Sequence, residues 1–344
     1  MALFSARRSS STPLDGVDVV LADLDGVVYA GAGALPYAVE SLERAREGRR
    51  LGFITNNASR TDASVAAHLT ELGLKTAPDE VVTSPQAAMR LLAERVAPGA
   101  TILVVGGDGL VDEVRKAGFV VTRSAEDAPA AVVQGFAPEV GWTQLAEAAY
   151  ALKLPEDEGG IPWIATNTDW TIPQARGIAP GNGTLVSAVH TAVGRLATVA
   201  GKPEVPIFEE AVARFGARHP LFLGDRLDTD ILGANRAGMP SALVLTGIDR
   251  PKHVLAAPAG SQPTFILADL RELHTPYPEA RVADGVVSVR DAKVRIDGPD
   301  VRILAAGEPI DLLRAGAKAI WDTGRAIYGF RVPEELYADP FHKP

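Results

Sequence analysis

Two carboxylates spaced two residues apart, Asp23 and Asp25, lie in the run Asp23-Leu24-Asp25-Gly26-Val27 and close an apolar segment. Residues i and i+2 of a strand share a face, so both acids can reach one site. Gly26 then lets the backbone turn away. Two acids with divided roles suit phosphoester cleavage. One attacks phosphorus, and the other protonates the departing alkoxide and later activates water. The same pair also fits a helix cap or a strand-end acid pair, and the motif alone does not choose.

Three further segments bear on that choice. In Ile54-Thr55-Asn56-Asn57 a hydroxyl, a backbone N–H and side-chain amides follow a strand. They can hold phosphate oxygens without adding charge, or cap a strand-to-helix turn. In Ala200-Gly201-Lys202-Pro203 the lysine can neutralise a phosphate or an attacking carboxylate, although a lone lysine is commonly a solvated charge. Pro203 there suits a helix start. In Leu223-Gly224-Asp225-Arg226-Leu227-Asp228-Thr229-Asp230, Asp225 follows a strand and Asp230 opens a helix. Asp23 and Asp225 on neighbouring strand ends make an oxygen-rich site for Mg²⁺, which binds a few carboxylates and keeps waters. A cation is needed because an anionic nucleophile must approach a phosphate dianion. Each charge pair costs about 4 kcal/mol at ~4 Å and an effective dielectric near 20. The glycine and terminal glutamate of a calcium loop are missing here.

The elements that must position these groups alternate. Apolar runs predict strands over 17–24, 50–55, 101–105, 130–134, 162–166, 220–223, 241–245 and 261–268. Helices are expected over 37–47, 62–72, 109–117, 143–152, 185–193, 207–215 and 230–237. That order implies an α/β fold with a doubly wound parallel sheet. The four segments fall at strand ends or a helix start, where ligands sit in open α/β sheets. From about Pro276 the pattern changes to short strands over 286–289, 292–296 and 301–305, then one long helix over 310–328.

The net charge of −9 argues against a general nucleic-acid binder. With no cysteine, disulfides, thiolate catalysis and cysteine-bound metals are excluded. Residues 1–13 read as a disordered lead-in, and no apolar stretch approaches a signal peptide or membrane span. A cytoplasmic protein without membrane partners is expected. Gly106-Gly107-Asp108-Gly109 lacks the full dinucleotide-loop pattern and reads as a strand-to-helix turn.

In their order, the four segments resemble the four motifs of the haloacid dehalogenase superfamily of phosphatases, over about Val17 to Leu273. The resemblance implies Asp23 as nucleophile and Asp25 as general acid/base. It implies that Thr55, Asn56 and Asn57 hold the phosphoryl group and that Lys202 is the third-motif lysine. Mg²⁺ would be held by Asp23, Asp225 and the backbone carbonyl of Asp25, with Asp230 a supporting carboxylate behind them. Dehalogenases of the superfamily lack the second acid of the first motif, so Asp25 favours phosphate chemistry.

The long insertion between Thr55 and Lys202 resembles the cap of the NagD-like, or para-nitrophenylphosphatase-like, subgroup. The implied organisation is a catalytic core over 14–74 and 198–275, an α/β cap over 75–197 and a C-terminal extension over 276–344. Caps select the substrate by closing over the phosphate site. Thr166-Asn167-Thr168-Asp169-Trp170 and Pro180-Gly181-Asn182-Gly183 resemble the subgroup's cap pattern. Asn167 and Asp169 would then bind a small polar alcohol and Trp170 would wall it, although strand-end turns favour the same residues. Length and extension resemble glycerol-3-phosphate phosphatases of actinobacteria, which implies glycerol 3-phosphate as the small phosphorylated metabolite. Pyridoxal phosphate, phosphoglycolate and nucleotide monophosphates are the alternatives, then a phosphomutase or an idle binding protein. Caps of this kind are compatible with a homodimer. The extension faintly resembles part of a GNAT acetyltransferase-like fold, but Arg314-Ala315-Gly316-Ala317 does not supply the pyrophosphate loop. No acetyltransferase activity is expected from it.

Overall fold

The computed structural model describes residues 11–58, 60–174 and 176–340. Most of the lead-in expected over 1–13 therefore lies outside the described residues. The chain folds as two compact units, Met1–Leu51 with Arg218–Pro344, and Gly52–Ala217.

In the first unit, four parallel strands lie side by side in the order Phe265–Leu267, Ser241–Val244, Pro220–Gly224 and Val19–Ala22. Val19–Ala22 and Ser241–Val244 are buried throughout. Their unbroken apolar runs are those of strands covered on both faces. The register pairs Val19 with Pro220 and Ala22 with Leu223, so the two strands end nearly level. Asp23 and Asp225 consequently emerge at the same edge of this sheet. The helix expected over 230–237 begins as a π-helical turn, Leu227–Ile231, followed by the short helix Leu232–Arg236. The amides of Asp230 and Ile231 both donate to the Arg226 carbonyl, which widens that first turn. Of the strand expected over 261–268, only Phe265–Leu267 pairs, and a 3₁₀ turn precedes it.

The first unit also holds an antiparallel sheet of Ala280–Ala283, Val286–Val289, Ala292–Asp297 and Asp300–Ala305, covered by the helix Pro309–Trp321. Leu312, Leu313, Ala317 and Ile320 pack on Val287, Val289, Val294 and Val301. That core runs on into Ile231, Leu243 and Val254. The helix expected to reach residue 328 stops at Trp321. The Thr323 hydroxyl donates to the Ile320 carbonyl, and Gly324 adopts φ +66°, a terminus glycine serves without strain.

Among its described residues, the second unit is all parallel apart from one hairpin. Phe53–Thr55, at the end of the strand Arg50–Thr55, pairs with Val81–Thr83. A five-stranded sheet has the order Thr198–Val199, Trp163–Ala165, Ala131–Gln134, Thr101–Val105 and Val120–Thr122. The helices Trp142–Ala151 and Asn182–Val193 cover part of it, with Ala148, Val186 and Val189 against Leu103, Val132 and Trp163. The antiparallel hairpin joins Thr171–Gln174 to Gly177–Pro180. The strands Val81–Thr83, Val120–Thr122 and Thr198–Val199 were not expected, since such short strands show no period, nor was the helix Ser84–Ala93. The third-motif helix starts at Pro206 rather than Pro203, and the Lys202–Pro203 peptide is cis. Parallel sheets with interleaved helices give the expected α/β fold. Among the described residues no helix is long and apolar enough to cross a membrane.

Candidate active site

In the first unit, Asp23 leaves the sheet with its amide hydrogen-bonded to the Leu223 carbonyl at 2.8 Å. The chain then turns sharply: the amides of Val27, Val28 and Tyr29 all point to the Leu24 carbonyl. Asp25 is exposed in this turn, Asp23 half-buried. Gly26 has φ +81°, and a Cβ there would lie 2.3 Å from Oδ2 of Asp225. A side chain at 26 is thus excluded twice, by backbone conformation and by space.

Asp225 and Asp230 are 1% and 0% exposed. Oδ2 of Asp230 accepts the amides of Asp225 and Arg226, both at 3.1 Å. Oδ2 of Asp225 accepts the Ile248 amide at 2.6 Å. Gly224 and Gly247 let backbone close on these acids. A Cβ on Gly224 would sit 2.3 Å from the Asp230 Cβ, and one on Gly247 2.0 Å from Asp225 Oδ2. One carboxylate oxygen each from Asp23, Asp225 and Asp230 lies within 4.8 Å of the others. This all-oxygen set, with Asp225 and Asp230 oriented by backbone amides, fits a hard divalent cation such as Mg²⁺. Asp230 therefore sits among the acids that can reach a cation as well as supporting them. Asp25 is outside this side-chain group, and the ligand expected from it is a main-chain oxygen.

Sequence reading missed the loop after Ser241–Val244. Besides Gly247 and Ile248, the Thr246 hydroxyl donates to the Gly26 carbonyl at 2.7 Å, and the Asp249 carboxylate accepts the Leu227 amide at 2.6 Å. Burial raises the Asp249 carboxyl above the ordinary aspartate range, with the Leu227 amide and His253 opposing it. The available signal was position: Leu245-Thr246-Gly247 follows a strand end, as the other site segments do.

The remaining candidates lie in the second unit. Thr55 is buried, and its hydroxyl accepts the amide of the exposed Asn57 at 3.1 Å. Nδ2 of Asn56 donates to the Lys202 carbonyl at 3.0 Å and to Oδ1 of Asp169 at 3.1 Å. Oδ1 of Asn56 accepts the Lys202 amide at 2.8 Å. Lys202 itself is 4% exposed. Asn167, also buried, donates to the Asn56 carbonyl at 2.8 Å, and its Oδ1 accepts the Asp169 amide. Asn182 donates to the Asn167 carbonyl. The structure thus joins Asn56, Asn167, Asp169 and Lys202, while Trp170 stands 63% exposed. Gly181 and Gly183 are needed because their Cβ atoms would meet the carbonyls of Asp169 and Thr168 at 2.1 and 2.4 Å.

Comparison with known proteins agrees with this geometry. A haloacid dehalogenase-like hydrolase model matches residues 20–120, and a HAD-hydrolase-like model matches 199–273. The D-glycerol 3-phosphate phosphatase of Mycobacterium tuberculosis is 44% identical over 319 residues, covering 90% of this chain and 87% of that one. Human chronophin is 37% identical over 276 residues, covering 74% of this chain and 92% of its own. Among solved structures, the M. tuberculosis glycerol phosphate phosphatase in complex with magnesium superposes with a TM-score of 0.84 at 41% identity, covering 93% of this chain and 94% of that one. The 4-nitrophenylphosphatase of Thermotoga maritima gives 0.69 at 30% identity, covering 76% and 98%. With these matches and its acid cluster at the strand ends, the chain belongs to the haloacid dehalogenase-like hydrolase family.

Proposed function

We propose that the chain is a magnesium-dependent phosphomonoesterase that hydrolyses glycerol 3-phosphate to glycerol and phosphate through an aspartyl-phosphate on Asp23. The observation that carries this reading is the acid cluster of Asp23, Asp225 and Asp230. Its support in substrate comes from the glycerol phosphate phosphatases to which the chain is similar along most of its length.

Asp23, Asp225, the Asp25 carbonyl and Asp230 would hold Mg²⁺. When bound, the ion offsets charge between nucleophile and phosphate and stabilises charge on the transferring phosphoryl group. The Asp23 carboxylate attacks phosphorus, and the ester oxygen departs with a proton from Asp25. Asp25 then takes a proton from water, which attacks the acyl phosphate and frees Asp23 with inorganic phosphate. The exposure of Asp25 suits a group that exchanges protons with water. Thr55, Asn57 and the backbone around Asn56 hold phosphoryl oxygens, and Lys202 neutralises charge. Residues 75–197 act as the cap, with Asn167, Asp169 and Trp170 on the substrate side. The core is 14–74 with 198–275, and 276–344 is an extension with a packing role. A cytoplasmic homodimer without nucleic-acid or membrane partners completes the reading.

The test is phosphate release from glycerol 3-phosphate, with and without Mg²⁺, beside pyridoxal phosphate, phosphoglycolate and a nucleotide monophosphate. Glycerol 3-phosphate is expected to give the highest kcat/KM, and Asp23→Asn to abolish it. Negligible turnover of glycerol 3-phosphate with good turnover of another ester would remove the substrate assignment. Activity retained in Asp23→Asn would remove the nucleophile.

A further inference from the structure

We infer that the Asn56 carboxamide is a positioning group that fixes the main chain of Lys202 and ties it to the 166–169 loop. The inference rests on the phosphatase reading for its kinetic consequence, though not for its structural one. An amide side chain has two N–H donors. Asn56 spends them on the Lys202 carbonyl and on Asp169 Oδ1. Its oxygen takes the Lys202 amide. The reversed amide would set oxygen against both the Lys202 carbonyl and the Asp169 carboxylate, so the network fixes the orientation. The side chain has no donor left for a phosphoryl oxygen.

Gripping one residue by both its N–H and its C=O fixes position and tilt together. The grip needs close approach: a Cβ on Gly201 would lie 2.5 Å from Asn56 Oδ1 and 2.6 Å from the Thr166 carbonyl. The main chain of Asn56 is held in turn, because its carbonyl accepts both the Ser84 hydroxyl and Asn167 Nδ2 at 2.8 Å. Asp169 is the anionic member, so its bond to Asn56 is charge-assisted. It orients the carboxamide that orients Lys202. Displacement of the 166–169 loop would therefore loosen Lys202 through the Asn56 carboxamide that holds its main chain.

Two measurements test this on the full chain. NMR-detected hydrogen exchange follows the Lys202 amide in wild type, Asn56→Ala, Asp169→Ala and Asp169→Asn. Exchange is expected to accelerate about tenfold or more in the first two variants. It should stay near wild type in Asp169→Asn, whose amide oxygen can still accept from Asn56. Steady-state kinetics with glycerol 3-phosphate and Mg²⁺ should show kcat down about 10²-fold for Asn56→Ala with little change in KM. Asp169→Ala should lower kcat about tenfold and add nothing in the Asn56→Ala background. Asn56→Asp, which keeps the acceptor and loses both donors, serves if Asn56→Ala does not fold. Unchanged Lys202 exchange in Asp169→Ala overturns the inference, as do additive losses in kcat. A rise confined to KM, with exchange unmoved, would instead assign Asp169 to direct substrate contact. An inactive wild type would sink the phosphatase reading, while the exchange result would still decide the clamp.

Discussion

Among its described residues, the first unit gathers charge in two places of different composition. Around Arg314, itself 5% exposed, opposite charges interlock. The guanidinium donates to Asp311 at 3.0 Å, to Glu272 at 3.0 Å and to the Ile266 carbonyl, and lies 4.5 Å over the Tyr277 ring. Arg290 donates to the second oxygen of Asp311 at 3.1 Å. Two guanidinium groups thus meet two carboxylates, and the lone pairs and protons find partners. At the strand ends, by contrast, three carboxylates crowd within 4.8 Å. Backbone amides of Asp225, Arg226 and Ile248 orient Asp225 and Asp230 there without adding net charge. Interlocked opposite charge is structure, whereas like charge gathered at strand ends is a place for a cation.

The largest expected effect breaks that contrast if it fails. Asp225→Asn should lower turnover on the order of 10³-fold, as loss of a group that stabilises transition-state charge does. The same change removes one of three like charges. Its metal-free stability in urea denaturation should hold or rise, the usual trade between stability and an active site. A clear loss of stability would mean that the acid cluster is paired in the way the Arg314 network is.

Arg314→Met tests the other side. It strands Asp311, which is 1% exposed, with Arg290 alone. Removing one partner of a buried pair costs about 3 kcal/mol or more. Urea denaturation should show that loss, while the folded fraction keeps its kcat. Magnesium then separates the two sites directly. At about a hundred times its Kd it should stabilise wild type and Arg314→Met alike by about 2.7 kcal/mol, and leave Asp225→Asn unmoved. An equal gain in Asp225→Asn would place the ion elsewhere.

The contrast also explains what could be read in advance. The strand-end placement of Asp23, Asp25 and Asp225 was legible because a buried strand announces its end with an acid and a glycine, and strand order brings those ends level. The Arg314 network was not legible, since an arginine inside the helix Pro309–Trp321 reads as a solvated face. Its partners Glu272 and Ile266 lie 42 and 48 residues away. For the same reason the tie between Asn56, Lys202 and Asp169 was not legible. The Asn56 amide's partners, Asp169 and Lys202, are 113 and 146 residues distant, and no local pattern encodes them. The core strands long enough to show an apolar run were placed within a few residues. Val81–Thr83 and Val120–Thr122 were missed, being set by neighbours they pair with rather than by a period of their own.

The smallest effect concerns how far pairing alone can go when burial is removed. Arg331 grips Asp300 through two bonds, Nε to Oδ1 at 2.6 Å and Nη2 to Oδ2 at 2.7 Å. That contact holds the Asp300 carboxyl below its ordinary value, since the guanidinium favours the ionised form. A depressed folded-state value means that the pair's contribution is present above the unfolded-state pKa. It is lost as pH falls through the lowered one. Unlike the Arg314 network, this pair stands in water, where screening leaves little net stabilisation. Carbon-detected NMR titration should find Asp300 ionising below an unperturbed aspartate in wild type and returning toward it in Arg331→Ala, with the urea midpoint at neutral pH nearly unmoved. A large midpoint shift would show that an exposed pair can do the work assigned here to burial, and the distinction between the two buried sites would then rest on sign of charge alone.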